Sequence, residues 1–324
     1  MATPNIIERL TPVFQKVDRQ IAEHLSSDIP FIMEASEHIL FSGGKHLRPV
    51  LFVLAAQLCE YPGDREYYFS SVFEYLHAAT LLHDDVVDES DTRRGRQAAH
   101  KIYGNKPAIL VGDYLLAKSM AIAAETGRLI FFEVMSGVVA RMAEGEVLQL
   151  LHARDINLAE EDYEQVIYRK TGILIESACY LGAVFAEAPT VQTMALKTFG
   201  RKIGLAFQII DDCLDYSGTS AEFGKPVGHD LDEGKITLPL LRTLAAANSE
   251  DKDCLARLIS LETRTPDEWG QVKSMIDKYH GLDQAVERAS QLVEEAKIAL
   301  RVFPDGYTRK NICDLADYIV TRRK

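Results

Sequence analysis

Two stretches decide the reading of this chain: Ala78-Ala79-Thr80-Leu81-Leu82-His83-Asp84-Asp85-Val86-Val87-Asp88, and Leu205-Ala206-Phe207-Gln208-Ile209-Ile210-Asp211-Asp212-Cys213-Leu214-Asp215. Each is an apolar helical run ending on the pattern DDxxD. On a helix, residues four apart share a face, with Cβ atoms roughly 5–6 Å apart. Asp84 therefore pairs with Asp88, and Asp211 with Asp215. Two such charges at ~6 Å repel by about 3 kcal/mol at an effective dielectric of ~20. A chain that carries this cost twice needs a cation to relieve it. Hard oxygen ligands, few per segment, suit Mg²⁺ that also holds phosphate groups. The competing reading is a solvated acidic face. At an average Asp share of ~6%, one DDxxD arises by chance about 0.07 times in a chain of this length and two about 0.002 times. The apolar residues before each motif also argue against a solvated face.

The bulk properties exclude several classes. The 324 residues are 47% hydrophobic, ample for a large core. No Gly/Ser tract, Pro run or repeat marks a linker, so one domain is expected over 1–324. The formal net charge of −12 disfavours nucleic acid as a partner. Five scattered cysteines without a CxxC fit a reducing compartment and no disulfide framework. The first residues lack the apolar core of a secretion signal, and the expected location is the cytoplasm. The longest apolar stretch, 172–188, contains Glu176 and Glu187 and falls short of the ~20 residues a membrane span needs.

Helical periodicity dominates the chain. It predicts helices over Ile6–Ile21, Pro30–Leu40, Pro49–Cys59, Arg65–Asp88, Pro107–Ala124, Leu129–Leu151 and Ala159–Ala188. A further helix follows Pro189 and ends near Tyr216, and four or five shorter ones complete the chain after a Gly-rich connection, 217–234. No alternating strand pattern with hairpin turns stands out. The expected fold is all-α, a single-domain bundle of about a dozen helices, with the two acidic helices central.

Polyanion binding needs cations besides a metal. Gly43-Gly44-Lys45-His46-Leu47-Arg48-Pro49 sets Lys45 and Arg48 in a loop at a helix start, where backbone N–H groups favour phosphate; an ordinary exposed turn fits the same residues. Arg93 and Arg94 follow the first motif, as phosphate forks or as a solvated helix end. His77 lies two turns before Asp84 on the same stripe, either a core histidine or a ligand. Lys170 and Thr171 interrupt an apolar segment, and Gln208 stands one turn before Asp211. Lys225 and Lys235 lie in the Gly-rich connection, which reads as a lid or as a solvated loop.

Together these residues resemble the trans-isoprenyl diphosphate synthase (polyprenyl synthetase) family. The matching stretches are GGKHLRP (43–49), HAATLLHDDVVDESDTRRG (77–95), GDYLLAKS (112–119), GEVLQL (145–150), YRKTG (168–172), FQIIDDCLDY (207–216) and GKPVGHDLDEGKITLPL (224–240). In detail the chain is most similar to the long-chain, octaprenyl diphosphate synthase type. The resemblance implies the isoprenoid synthase fold, helices around a central apolar cavity. It implies two or three Mg²⁺ on Asp84, Asp88, Asp211 and Asp215. It assigns the allylic diphosphate, such as farnesyl diphosphate, to Arg93, Lys170, Thr171, Gln208, Lys225 and Lys235. Lys170 and Lys225 would also aid ionisation. Isopentenyl diphosphate falls to Lys45, Arg48, His77 and Arg94. Ionisation, attack by the double bond and proton loss would lengthen the chain by one isoprene unit per cycle, in a dry site where water cannot quench the cation. A homodimer and a role in a quinone side chain are implied as well.

Three rivals differ in class. A class I terpene cyclase shares the ionisation but typically replaces the second DDxxD by a mixed metal triad. A noncatalytic partner subunit would carry a damaged motif, and both motifs are intact. A structural helical module would leave the acidic faces incidental. For product length, Ala79 and Thr80 are small residues one turn before Asp84. The tunnel is expected to continue past Leu76 and Phe73 toward Met120 and Met135, so a long product is expected.

Overall fold

The computed structural model describes residues 5–93, 95–217 and 228–321; Arg94 and Lys225 lie outside these. The chain is helical nearly throughout, as its periodicity predicts. It divides into two compact units. The first comprises Met1–Val138, Leu174–Gly200 and Ala299–Leu315, and the second Val139–Ile173, Arg201–Ile298 and Ala316–Lys324.

The helices run α1 (Ile6–His24), α2 (Pro30–Leu40), α3 (Leu47–Leu58), α4 (Glu66–Val87), α5 (Ala99–Tyr103), α6 (Asn105–Glu125), α7 (Leu129–Leu151), α8 (Glu160–Ile167), α9 (Ile173–Phe185) and α10 (Thr190–Ser217). In the first unit α4 is the axis. Its Phe69, Val72, Phe73, Tyr75, Leu76, Ala79 and Leu82 are all buried. The Tyr75 hydroxyl donates to the Ile21 carbonyl at 2.7 Å, tying α4 to α1. Ser119 of α6 donates to the Val72 carbonyl at 3.0 Å. Gly112 lets α6 approach α4 closely: a Cβ there would sit 2.4 Å from Nε2 of His83. Helix α6 is long and apolar enough to cross a membrane by length and mean hydropathy, 1.3, with 39% of its most apolar window buried.

In the second unit, helices Leu238–Ala246, Ser249–Ser260, Pro266–Lys278 and Gly281–Ala299 follow one another with short connections. Local signals fix their starts. Asn248 caps one by accepting from the Asp251 amide at 2.9 Å, and Thr265 with Glu268 forms a capping box.

Three local features differ from the periodicity reading. The predicted helix 159–188 is interrupted by a π-helical turn, Tyr168–Gly172. Residues 92–97 form a minimal antiparallel ladder, Thr92 opposite Gln97 and Arg93 opposite Arg96. Two short helices, Ala99–Tyr103 and His229–Asp232, are below the length at which a 3.6-residue period can be read.

Candidate active site

In the first unit the acidic motif closes α4. His77, Thr80, Leu81, Asp84 and Asp88 are half-buried, while Ala78, Ala79, Leu82 and Asp85 are buried. His77, Thr80, Leu81, Asp84 and Asp88 share one stripe at helical spacing, while His83, Val86 and Val87 are open beside it. Asp85 is turned about 100° from Asp84 and is 1% exposed. Its Oδ1 accepts from Arg93, from Nε at 2.8 Å and also from Nη2. The backbone delivers that arginine. Glu89 takes a left-handed conformation, φ 50°, the Ser90 amide bonds the Asp85 carbonyl, and the small ladder turns Arg93 back. The arginine expected on phosphate thus also braces the motif.

The loop that ends at His46 and the start of α3 carry Lys45 and Arg48, and both are fastened by the residue between these cations. His46 is buried in the left-handed region, φ 41°. Its Nδ1 lies 2.6 Å from Asp18, and its Nε2 lies 3.1 Å from the Leu40 carbonyl and 3.7 Å from Glu74. Lys45 is exposed and Arg48 half-buried. Burial alone would lower the His46 pKa, but the hydrogen bond to Asp18, the charges of Glu74 and Asp18 and the Leu40 carbonyl outweigh it and raise it. A raised folded-state pKa stabilises the fold below the unfolded value, and that stabilisation is lost as pH rises through the folded value. The thermal midpoint of the wild type should therefore fall from about pH 6 to about pH 8 more than that of His46→Gln, which cannot titrate. Equal slopes in the two proteins would refute this.

In the second unit Asp211 and Asp215 are half-buried on α10, and Asp212 is 4% exposed. Both Asp212 oxygens are engaged: Tyr163 of α8 donates to Oδ2 at 2.6 Å and Gln208 to Oδ1 at 2.8 Å. The Thr171 hydroxyl donates to Oε1 of Gln208 at 2.8 Å. Lys170 pairs with Glu146 at 2.6 Å and Lys235 with Glu233. Beside these lies a cavity of about 90 Å³, lined among others by Tyr163, Lys170, Thr171, Gln208, Asp212 and Lys235. The amide of Asp230 donates to Oδ2 of Asp215 at 3.1 Å. Burial first, then the charge of Asp230, pushes Asp215 up to about 7 and Asp212 well above the carboxylate range. His229, Asp230 and Glu233 bring ligand atoms within 4.8 Å of one another. These carboxylate oxygens, with the ring nitrogen of His229 beside them, fit a divalent cation, whose charge would oppose the rise.

The π-turn explains how Lys170 and Thr171 are set. Its extra residue breaks the helical register at the place where both must leave the apolar face, a common device at functional sites. Glycines allow the approach. A Cβ on Gly204 would stand 2.6 Å from Cα of Gly172, and one on Gly145 2.8 Å from the Lys170 amide nitrogen.

The residues expected to hold isopentenyl diphosphate, apart from Arg94, lie in the first unit. Those expected for the allylic substrate, apart from Arg93 and Lys225, lie in the second. Of the chain-length residues, Leu76, Ala79 and Met135 are buried, while Thr80 and Met120 are half-buried. Sequence reasoning missed His46, Tyr163, Glu146 and the separate role of Asp85 and Asp212. Only the last pair carried a signal, since the second position of DDxxD falls off the face shared by the first and fifth.

Residues 29–277 match the polyprenyl synthetase family. The chain is 38% identical over 313 residues to the octaprenyl diphosphate synthase of Escherichia coli (strain K12), covering 94% of each chain. It is 36% identical to the all-trans-nonaprenyl-diphosphate synthase (geranyl-diphosphate specific) of Rhodobacter capsulatus, covering 97% of each. Among solved structures, the polyprenyl synthase from Caulobacter crescentus CB15 complexed with calcium and isoprenyl diphosphate superposes with a TM-score of 0.93. It is 37% identical, over 98% of this chain and 97% of that one. The chain belongs to the polyprenyl synthetase family and is a prenyltransferase with the all-α isoprenyl synthase fold.

Proposed function

We propose that this polyprenyl diphosphate synthase is a long-chain enzyme that adds isopentenyl diphosphate successively to an allylic diphosphate and stops at the octaprenyl length. The observation that carries the chemistry is the repeated disposition of the two motifs. In each, the first and fifth aspartates lie on the open face and the second is buried and braced. That leaves Asp84, Asp88, Asp211 and Asp215 to hold Mg²⁺, as in the resemblance. Bound Mg²⁺ supplies charge neutralisation for the departing diphosphate.

This chain's residues do the rest. Lys170 and Lys235 share their charge between the nearby carboxylates and the diphosphate oxygens. Lys225, outside the described residues, has the same role in this reading. Lys45, Arg48 and His77, with Arg94, hold isopentenyl diphosphate. The allylic C–O bond breaks with its electron pair leaving on diphosphate. The isopentenyl double bond then forms the new C–C bond, and a proton is lost to restore the alkene. The test is release of diphosphate from farnesyl diphosphate with and without isopentenyl diphosphate and Mg²⁺. A synthase needs all three; release without isopentenyl diphosphate would indicate a cyclase.

The length reading is supported by relatives named for octaprenyl and nonaprenyl products and by α4. Of the two small residues expected beside the tunnel, Ala79 is 1% exposed, whereas Thr80 is half-buried on the stripe that carries Asp84. Further along, Phe73 packs on Phe52 with centroids 5.3 Å apart and on Phe131 at 6.5 Å. We take the path past this aromatic cluster toward Met120 and Met135 as the stretch that sets where elongation stops. Thr80→Tyr adds a ring to the path, and overpacking there costs on the order of 1–3 kcal/mol. Its products should end at or below the geranylgeranyl length while the first condensation survives. Unchanged product chromatograms would reject the path.

The two units would act as one catalytic domain, in the cytoplasm and as a homodimer. Exposed Ile109 and Leu110 on α6 and Leu129, Ile130 and Phe132 on α7 support a self-association face, testable by sedimentation.

A further inference from the structure

Asp212 is the least expected member of the second motif. A carboxylate this deeply buried is costly unless its oxygens are satisfied, and each has one donor. Tyr163 gives its proton to Oδ2 and Gln208 gives an amide proton to Oδ1. With its NH₂ committed there, Gln208 turns Oε1 toward Thr171, whose hydroxyl donates to it. A hydroxyl has one proton. Spending it on Gln208 leaves Thr171 only lone pairs to offer the cavity it lines with Lys170 and Asp212. Lone pairs are what an electron-poor allylic carbon would meet favourably; a proton pointed there would oppose it.

Tyr163 itself is held for this. It is 2% exposed, and its helix is pinned on both sides of it by ion pairs, Glu160 with Arg242 at 2.6 Å and Glu164 with Arg288 at 3.0 Å. None of these four charged residues lines the cavity. The tyrosine, which also lines the cavity, is thus the first link of a chain that crosses from α8 to α10 to the π-turn and ends on Thr171.

We propose that Tyr163 is a positioning residue for the allylic site: acting through Asp212 and Gln208, it fixes the orientation and hydrogen-bond polarity of Thr171. The proposal rests on the prenyl transfer reading above. It gives Asp212 a role other than metal ligation.

The experiment is a double-mutant cycle of Tyr163→Phe and Thr171→Val, read in turnover and in urea unfolding. Tyr163→Phe keeps the ring and removes only the first link. It should lower kcat by about tenfold, the worth of one buried hydrogen bond. The Michaelis constant for isopentenyl diphosphate and the Mg²⁺ concentration for half activation should stay where they are. The double mutant should be no slower than Thr171→Val alone, because both changes break one chain. Losses that multiply, or a shift in Mg²⁺ activation matching the loss in kcat, would overturn the proposal. Gln208→Met cuts the chain in the middle and must show the same non-additivity with Thr171→Val, so a Tyr163 variant that failed to fold would still leave a decision. If the wild type itself does not condense the two diphosphates, the functional reading fails. The unfolding cycle still decides the chain: coupling between positions 163 and 171 supports it and additivity refutes it.

Discussion

Asp211→Ala and Asp84→Ala should each lower turnover by more than ~10³-fold while leaving the fold intact. Each residue is half-buried on the open face of its helix, and a metal contact stabilising a departing diphosphate is worth several kcal/mol. Stability should move little. On α10, removing one carboxylate even relieves crowding, because the charge of Asp211 is among those raising Asp212. The neighbouring aspartates should behave in the opposite sense. Asp85→Ala strips the half-buried Arg93 of the carboxylate it bonds through two nitrogens, and losing such a charge-assisted bond costs roughly 1–3 kcal/mol. The measurements are kcat at saturating substrate and Mg²⁺, and the urea midpoint, for both classes of variant. Full activity in Asp84→Ala would sink the metal assignment. Equal destabilisation by Asp84→Ala and Asp85→Ala would sink the division of labour within the motif.

That division shows how far the sequence could be read. The helical period alone separates Asp84 and Asp88 from Asp85, and the long amphipathic helices were legible for the same reason: burial of one stripe dominates their energetics. Leu129–Leu151 and Pro30–Leu40 match expectation to the residue. The π-turn at 168–172 was not legible, because apolar side chains continue on both sides and the register break leaves no pattern in residue type. The side-chain partners at the site were hidden differently. Arg93 with Asp85 is separated by eight residues, Lys170 with Glu146 by twenty-four and Tyr163 with Asp212 by forty-nine. Such pairs are set by packing between elements, which a periodicity cannot specify. His46 left no signal for the same reason: its role, to anchor the loop from inside, depends on Asp18, Leu40 and Glu74, which packing brings to it.

The glycines around the π-turn carry the second large effect. Gly204→Ala would place a Cβ 2.6 Å from Cα of Gly172 and 2.8 Å from its carbonyl oxygen, distances at which backbone must move. The displaced segment is the one that presents Lys170 and Thr171. A shift of about 1 Å in a positioning element can cost ~10² in rate, while overpacking costs about 1–3 kcal/mol in stability. Gly204→Ala should therefore lose about a hundredfold in kcat and remain folded at moderate temperature. Gly145→Ala, whose Cβ would stand 2.8 Å from the Lys170 amide nitrogen, should act in the same direction. Gly270→Ala is the control: nothing lies within 4 Å of its added Cβ, and alanine is favoured over glycine inside a helix by roughly 0.5–1 kcal/mol, so activity should hold and stability rise. The measurement is kcat beside the thermal midpoint for the three variants. A Gly204→Ala enzyme with wild-type kcat would mean that the site tolerates a displaced π-turn, and the glycine contacts would then serve packing alone.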